Sequence, residues 1–269
     1  MNMDGLKIIA VIPAHLASVR FPRKILFPLF GIPMIEHVRR RAKLSLEIED
    51  VVVATCDKEI ASVIKNSGGE VVMTSSLHKN GTTRIAEAIE KINCSHVILL
   101  QGDEPLLNPS YIDEMATRIK KKPDVDSWNA TGPLNEIDEI DKASFVKCAV
   151  EPNGRILYCF RRGPSFQNFQ IQRKYMRKIL GLIAFRKVFL SDLVKIPPTN
   201  IEKAESIEQM RIIESGFCIN SVPFKESLPS INEPEDVDVV IRYIKQNKEQ
   251  QKLLNKIIGV TPDNLSQLS

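Results

Sequence analysis

Four short runs rich in Val and Ile recur through the first hundred residues: Lys7-Ile-Ile-Ala-Val-Ile-Pro13, Asp50-Val-Val-Val-Ala-Thr55, Glu70-Val-Val-Met73 and Ser95-His-Val-Ile-Leu-Leu100. Continuous β-branched runs without polar alternation suit strands buried on both faces of a parallel sheet. Helical patterns separate them. One starts near Pro33, a residue that costs nothing at a first helical position, and reaches Lys43. A second is capped by Asp57, carries Ile60, Val63 and Ile64 on one side, and closes at Gly68-Gly69. A third spans Thr83 to Lys91. Strand–helix alternation with such short connections implies right-handed crossovers and a doubly wound α/β sheet.

The pattern changes after Pro105. A helix is expected over Pro109–Lys121, then shorter strands at Ser127–Thr131, Phe145–Glu151, Ile156–Phe160, Leu180–Phe185 and Phe217–Val222. Asn153-Gly154 reads as a hairpin turn, so a small antiparallel extension joins the parallel sheet. The segment Arg162–Lys178 reads as a long exposed loop, one that either meets an acidic ligand or forms a solvated or subunit-contact surface. A helix follows from Ser206 to about Glu214, and a last one runs from Pro234 to about Leu254, its end Lys245–Lys252 a solvated face. These elements are expected to form one domain over residues 1–255. Its first part covers 1–122, its second part 123–230, its C-terminal helix 234–255, and a tail occupies 256–269.

Composition excludes several classes of function. Hydrophobic content of 43% and charged content of 26% are those of a globular chain. The net charge of +4 is spread along the sequence, which gives no case for nucleic acid as a partner. The five cysteines lack CxxC spacing and read as reduced thiols. With no signal-like start and no run long enough to span a bilayer, a cytoplasmic protein without membrane insertion is expected.

The chemistry concentrates where strands end. The first strand runs into Ala14-His-Leu-Ala-Ser-Val-Arg-Phe-Pro-Arg-Lys24, a loop without glycine that matches neither a P-loop nor a dinucleotide fingerprint. Arg20 and Lys24 lie four apart with Pro22 between them. An Arg grips phosphate bidentately and a Lys serves as a point charge. Gln101-Gly-Asp-Glu-Pro105 follows the fourth strand, with Asp103 the first candidate ligand for Mg2+ and Glu104 the reserve; such an ion needs only one or two protein carboxylates plus phosphate oxygens. His78-Lys-Asn-Gly-Thr-Thr-Arg84 opens a helix, where backbone amides and Arg84 suit an anion. His37 and His96 read as structural. In an open α/β sheet all these turns lie at the carboxyl edge, where ligands bind.

Taken together, Arg20-Phe-Pro-Arg-Lys24, Met73–His78 with Gly81-Thr-Thr-Arg84, and Gln101-Gly-Asp-Glu-Pro105 resemble 3-deoxy-manno-octulosonate (Kdo) cytidylyltransferase, the CMP-Kdo synthetase family. Val146-Lys147, Gly154–Tyr158, Ile207-Glu-Gln-Met-Arg211 and Asn232-Glu-Pro-Glu-Asp236 follow in matching order, so the resemblance extends to about residue 245. It implies a nucleotide-diphospho-sugar transferase fold, a Rossmann-like mixed sheet, usually in a homodimer. It also implies transfer of CMP from CTP to an acidic 2-keto sugar with Mg2+, releasing pyrophosphate and feeding a glycan such as lipopolysaccharide. Carried over by position, Arg20, Lys24 and Asp103 are catalytic, and Pro13, Ala14, Arg20, Lys24, Arg84 and Gln101 contact the nucleotide. Gln101, Glu208 and Gln209 line the sugar site, and Asp103 holds the metal, with Asn232 a doubtful second ligand. A sugar hydroxyl attacks the α-phosphate in line, and Asp103 is the candidate base, acting through a hydroxyl whose pKa falls on coordination.

Four departures accompany the resemblance. The family's Pro-Ala-Arg reads Pro13-Ala14-His15, replacing a permanent cation by a titratable one. Asn232 stands where a second metal-site aspartate is usual, Cys56 replaces a common aspartate, and Ile179–Phe185 replaces a strand that carries His and Tyr. A buried sugar hydroxyl left without a partner costs roughly 1–3 kcal/mol, so a substrate other than Kdo is open. The rivals are a nucleotidyltransferase for a different sugar and a non-catalytic nucleotide-binding paralogue.

Overall fold

The computed structural model describes residues 6–163 and 168–259. In chain order the elements begin with β1 (Ile8–Ala14), β2 (Pro28–Leu29), β3 (Ile32–Pro33), α1 (Met34–Ala42), β4 (Asp50–Thr55) and α2 (Lys58–Asn66). There follow β5 (Glu70–Met73), α3 (Gly81–Glu90), β6 (His96–Leu100), α4 (Pro109–Lys121), β7 (Ser127–Gly132), β8 (Lys147–Val150) and β9 (Ile156–Phe160). The rest are α5 (Phe169–Gln172), β10 (Met176–Arg186), α6 (Lys187–Leu193), α7 (Asn200–Glu205), α8 (Gln209–Glu214), β11 (Ile219–Pro223), α9 (Asp236–Gln246) and α10 (Lys248–Ile258). They form two compact units. The first comprises Lys7–Cys94, Ile98–Asp113 and the chain from Leu228; the second comprises Ser95–Val97 and Glu114–Ser227.

In the first unit the strand order is β6-β1-β4-β5. β1 pairs with β4 in parallel from Ile9↔Asp50 to Ala14↔Thr55, and β4 pairs with β5 in parallel. Ala10, Val11, Ile12, Val51, Val53 and Ala54 have no exposure, as continuous β-branched runs require of a sheet covered on both faces. The parallel register levels the ends of β1 and β4. Helix α3 begins against that edge: a Cβ on Gly81 would lie 2.9 Å from Pro13 Cγ, so only glycine lets the helix start this close to β1. Its N-cap is Asn80, whose side chain accepts the Thr83 N–H.

Three local expectations change here. Asp57 stands at the start of α2 but makes no side-chain cap; its carboxylate instead accepts the Leu16 N–H at 3.0 Å. The single C-terminal helix is two, broken at Asn247, whose side chain caps α10 by accepting Gln250 N–H. Lys245–Lys252 is therefore not wholly solvated: Gln250 is buried, accepting from Arg41 at 2.7 Å and donating to Leu106 O. Leu254 and Ile257 pack with Leu29, Met34, Ile231 and Val240. Residues 260–269 of the expected tail lie outside the described residues.

In the second unit β7 pairs in parallel with β11 and antiparallel with β10, while β8 and β9 form the expected hairpin, with Gly154 at φ +95° in its turn. β10 is longer than Leu180–Phe185. Its first residues pair with β8 from Met176↔Ala149, so the loop expected over Arg162–Lys178 is shortened, and α5 occupies part of it. Residues 164–167 lie outside the described residues. The adjacent basic residues Arg177 and Lys178 hid this strand start. Arg177 bonds Thr131 Oγ1, Thr131 O and Phe224 O, Lys178 pairs with Glu139, and Arg161 donates to the carbonyls of Ala143, Glu205 and Ser206. The helix expected from Ser206 begins later, because Ser206 ends α7 in a left-handed conformation at φ +54°.

Candidate active site

The loop after β1 sends its three cations in three directions. Leu16 O accepts the N–H groups of Ser18 and Arg23, and Arg23 adopts φ +60° just before a tight turn over Lys24–Leu26. Buried Ile25 pins that turn, and a Cβ on Gly102 would lie 3.0 Å from its Cδ1, so the turn after β6 approaches the loop closely. Lys24 consequently points inward. Its Nζ lies 2.5 Å from Asp103 Oδ2 and donates to Ile231 O at 3.2 Å. Their side chains are only 11% and 22% exposed, which makes this pair less screened than its neighbours. Arg23 turns outward to Glu59. Arg20 reaches a strap at Ser230–Glu233, at 3.4 Å from both Asn232 Oδ1 and Glu233 Oε1.

The strap is tied down independently of Arg20. Ile231 N–H donates to Asp103 O, and Asp236 Oδ2 accepts the N–H groups of both Asn232 and Glu233. The Lys24–Asp103 pair and Arg20 thus meet the strap at adjacent residues, Ile231 and Asn232. Asp236 and Glu233 belong to the motif read in the sequence, but their roles as anchor and as Arg20's partner carry no signal there.

Arg84 is 3% exposed, and its guanidinium donates to two neutral groups, Thr74 Oγ1 at 2.7 Å and Ser75 O at 3.2 Å. The Thr74–His78 segment around it is fastened by Glu87, which accepts Ser75 N–H and contacts His78 Nε2. The Ser75 N–H, followed by His78, holds the Glu87 carboxyl below the usual carboxylate range. His15 feels burial first and then the charge of Arg84, and both push its imidazole below the ordinary value; Asp57 and Asp103 oppose the shift, while Lys24 adds to it. Pro13 and Ala14 end β1 beside the start of α3, and Gln101 is exposed at the end of β6.

Glu208 and Gln209 belong to the second unit, at the start of α8. Glu208 is exposed. Gln209 is half-buried and donates through Nε2 to Asn129 Oδ1 at 2.9 Å. Asn129 is a residue that sequence reading missed, since nothing distinguishes it from any other polar residue within Ser127–Gly132.

The donor set of the first unit fits one divalent metal ion. Asp103 offers a hard oxygen ligand in a partly exposed turn, with Lys24 engaging only Oδ2. No group of three His, Cys, Asp or Glu side chains able to hold a metal occurs among the described residues.

The family model described as cytidylyltransferase matches residues 9–226, which gives the class: an α/β nucleotidyltransferase handling a cytidine nucleotide. The 3-deoxy-manno-octulosonate cytidylyltransferase of Chlorobium limicola is 38% identical, across 89% of this chain and 98% of that protein. The enzyme of the same name from Geobacter sulfurreducens is 34% identical, across 89% of this chain and all of that protein. A solved structure of CMP:2-keto-3-deoxy-manno-octonic acid synthetase complexed with CTP superposes with a TM-score of 0.84 at 29% identity, across 89% of this chain and 99% of that one. The chain belongs to the 3-deoxy-manno-octulosonate cytidylyltransferase family. Among more distant neighbours, the inositol-1-phosphate CTP transferase from T. maritima shares the fold at 14% identity and a TM-score of 0.61.

Proposed function

We propose that this chain transfers CMP from CTP to 3-deoxy-manno-octulosonate, or a close acidic 2-keto sugar, releasing pyrophosphate. The reaction uses Mg2+ and takes place in the cytoplasm, in a homodimer, and its product serves surface-glycan synthesis. The observation that carries the reading is the Lys24–Asp103 pair. A point cation and a carboxylate are held in contact at the ends of β1 and β6, in a chain whose relatives are named for this activity.

Each residue has a task in such a transfer. Lys24 exchanges Asp103 for phosphate oxygens, and Arg20 turns from the strap to the same polyanion; both neutralise charge that grows on the departing pyrophosphate. The amides at the start of α3 and the buried Arg84, bonded to the neutral oxygens of Thr74 and Ser75, add donors. Asp103, freed from Lys24, orients the metal side of the nucleotide. Asp103 would hold Mg2+, which would supply the Lewis-acid charge that polarises the transferred phosphoryl group. Asn232 offers an amide oxygen but no charge, so a second ion binds weakly.

Product analysis tests the reading. CTP, Mg2+ and Kdo incubated with the protein should yield a CMP-sugar conjugate by mass spectrometry, with equimolar pyrophosphate. A conjugate formed from UTP as readily as from CTP, or no conjugate with any 2-keto sugar acid, would overturn it.

A further inference from the structure

Asn129 has no exposure, and all its hydrogen-bonding atoms that face neighbours are accounted for. The β7–β10 ladder shifts register between Ile179 and Ile183, which opens a bulge at Leu180–Leu182. Asn129 fills the opening: its Nδ2 donates to Leu180 O at 2.9 Å and to Ala130 O at 2.8 Å. Two carbonyl oxygens can only face an NH2 group, so this amide has one permitted orientation. Its Oδ1 is then an obligatory acceptor. Gln209 must turn Nε2 toward it, as the 2.9 Å contact shows, and Oε1 away from it. Gln209 Oε1 has no partner among the described residues.

We propose that Asn129 sets the hydrogen-bond polarity of Gln209, so that the sugar site of this chain reads a donor, a hydroxyl or an ammonium group, on the substrate. The inference rests on Gln209 lying at the sugar site, as proposed above. Asn129 is a positioning residue here; Gln209 makes the contact. A carboxylate, which can only accept, has no favourable place against Gln209 Oε1. A C–O–H or C–NH3+ group does, and an unmet donor or acceptor in such a site is costly. The relay also explains why a fully buried asparagine occupies the middle of β7.

Two measurements on the intact protein test it. The first is side-chain amide hydrogen exchange by NMR without substrate. The Gln209 NH2 protons should exchange at least tenfold more slowly than those of an exposed glutamine, and lose that protection in Asn129→Leu, with Asn129→Thr as a second variant should the first not fold. Free-rate exchange of Gln209 in the unmodified protein would overturn the assignment. The second is the KM for Kdo analogues in which single hydroxyls are replaced by fluorine, which cannot donate, or by an amine, which can. At one position fluorine should raise the KM about tenfold while the amine is tolerated, and Gln209→Met should remove that discrimination with the KM for CTP unchanged. Tolerance of the amine but not of the native hydroxyl would assign the donor to an ammonium group; the reverse would assign it to a hydroxyl. Fluorine tolerated at every position, or a penalty that persists in Gln209→Met, would overturn the proposal. No turnover of Kdo or of any close 2-keto sugar acid by the unmodified protein would contradict the transfer reading instead, and the exchange measurement would still decide the amide orientation.

Discussion

The candidate site residues of the two units are held by opposite kinds of contact. In the first, formal charges stand in for one another: Lys24 on Asp103, Arg20 on Glu233, Arg23 on Glu59. In the second, Gln209 is met by a neutral amide, Asn129, which is itself fixed by the carbonyls of Leu180 and Ala130. The difference teaches how each group responds to a ligand. Ion pairs at a partly exposed edge can exchange partners when a polyanion and a cation arrive together, because little desolvation remains to be met. Buried amides cannot exchange; they hold one direction and so distinguish donors from acceptors.

The sharpest break of this comparison removes a charge from the first unit. Lys24→Ala should lower kcat/KM for CTP by about 10²-fold, or ~3 kcal/mol, with a smaller change in the KM for the sugar. Steady-state pyrophosphate release with each substrate varied in turn would check this, and a dominant effect on the sugar KM would put Lys24 on the wrong substrate.

The next largest effect concerns stability. Burial is the main cause that pushes His37 down to about 4, while its Nε2 donates to Leu29 O. A base whose folded pKa lies below its unfolded value of about 6.5 takes up its proton first in the unfolded chain. That contribution is present above pH 6.5 and is lost as pH falls toward 4. The linkage amounts to about 3 kcal/mol at its limit. His37→Gln should flatten the fall of Tm between pH 6.5 and 4; an unchanged slope would mean that His37 is not what drives it.

A smaller change sharpens the same edge. Asn232→Asp adds a carboxylate beside Arg20 and should lower the Mg2+ concentration for half-maximal activity by several-fold, since each added oxygen charge strengthens a hard-cation site. An unmoved magnesium titration would place residue 232 away from the ion. The mildest test is Gly81→Ala. Its Cβ would press on Pro13 Cγ at 2.9 Å, so the KM for CTP should rise a few-fold with about 1 kcal/mol lost in stability. A variant with native CTP affinity would show that the start of α3 can shift without consequence for the nucleotide.

How much of this was legible depends on where each interaction is encoded. The parallel strands are written in local composition, because Val and Ile runs such as Asp50–Thr55 have few other uses, and Lys24 and Asp103 stand where such strands end. The helices α6 and α7 were not legible: seven and six residues long, they show too few turns for an apolar period to emerge. Asn247 carries a helix-start signal that was masked by the charged run around it, and buried Gln250 shows that a polar string can cover a core contact. The Asn129–Gln209 relay joins residues 80 apart through a bulge, and no local pattern announces a bulge. Asp57 shows the converse case, a cap-like residue drawn to Leu16 N–H by tertiary geometry.

The central claim is most directly tested by pyrophosphate release from CTP and Mg2+ with Kdo and other acidic 2-keto sugars supplied singly, run beside Asp103→Ala. The account predicts release with Kdo or one close analogue, and a loss of at least 10³-fold, about 4 kcal/mol, in Asp103→Ala while the variant keeps its native melting profile. Silence across all the sugars with CTP still bound, or full activity in Asp103→Ala, would contradict it.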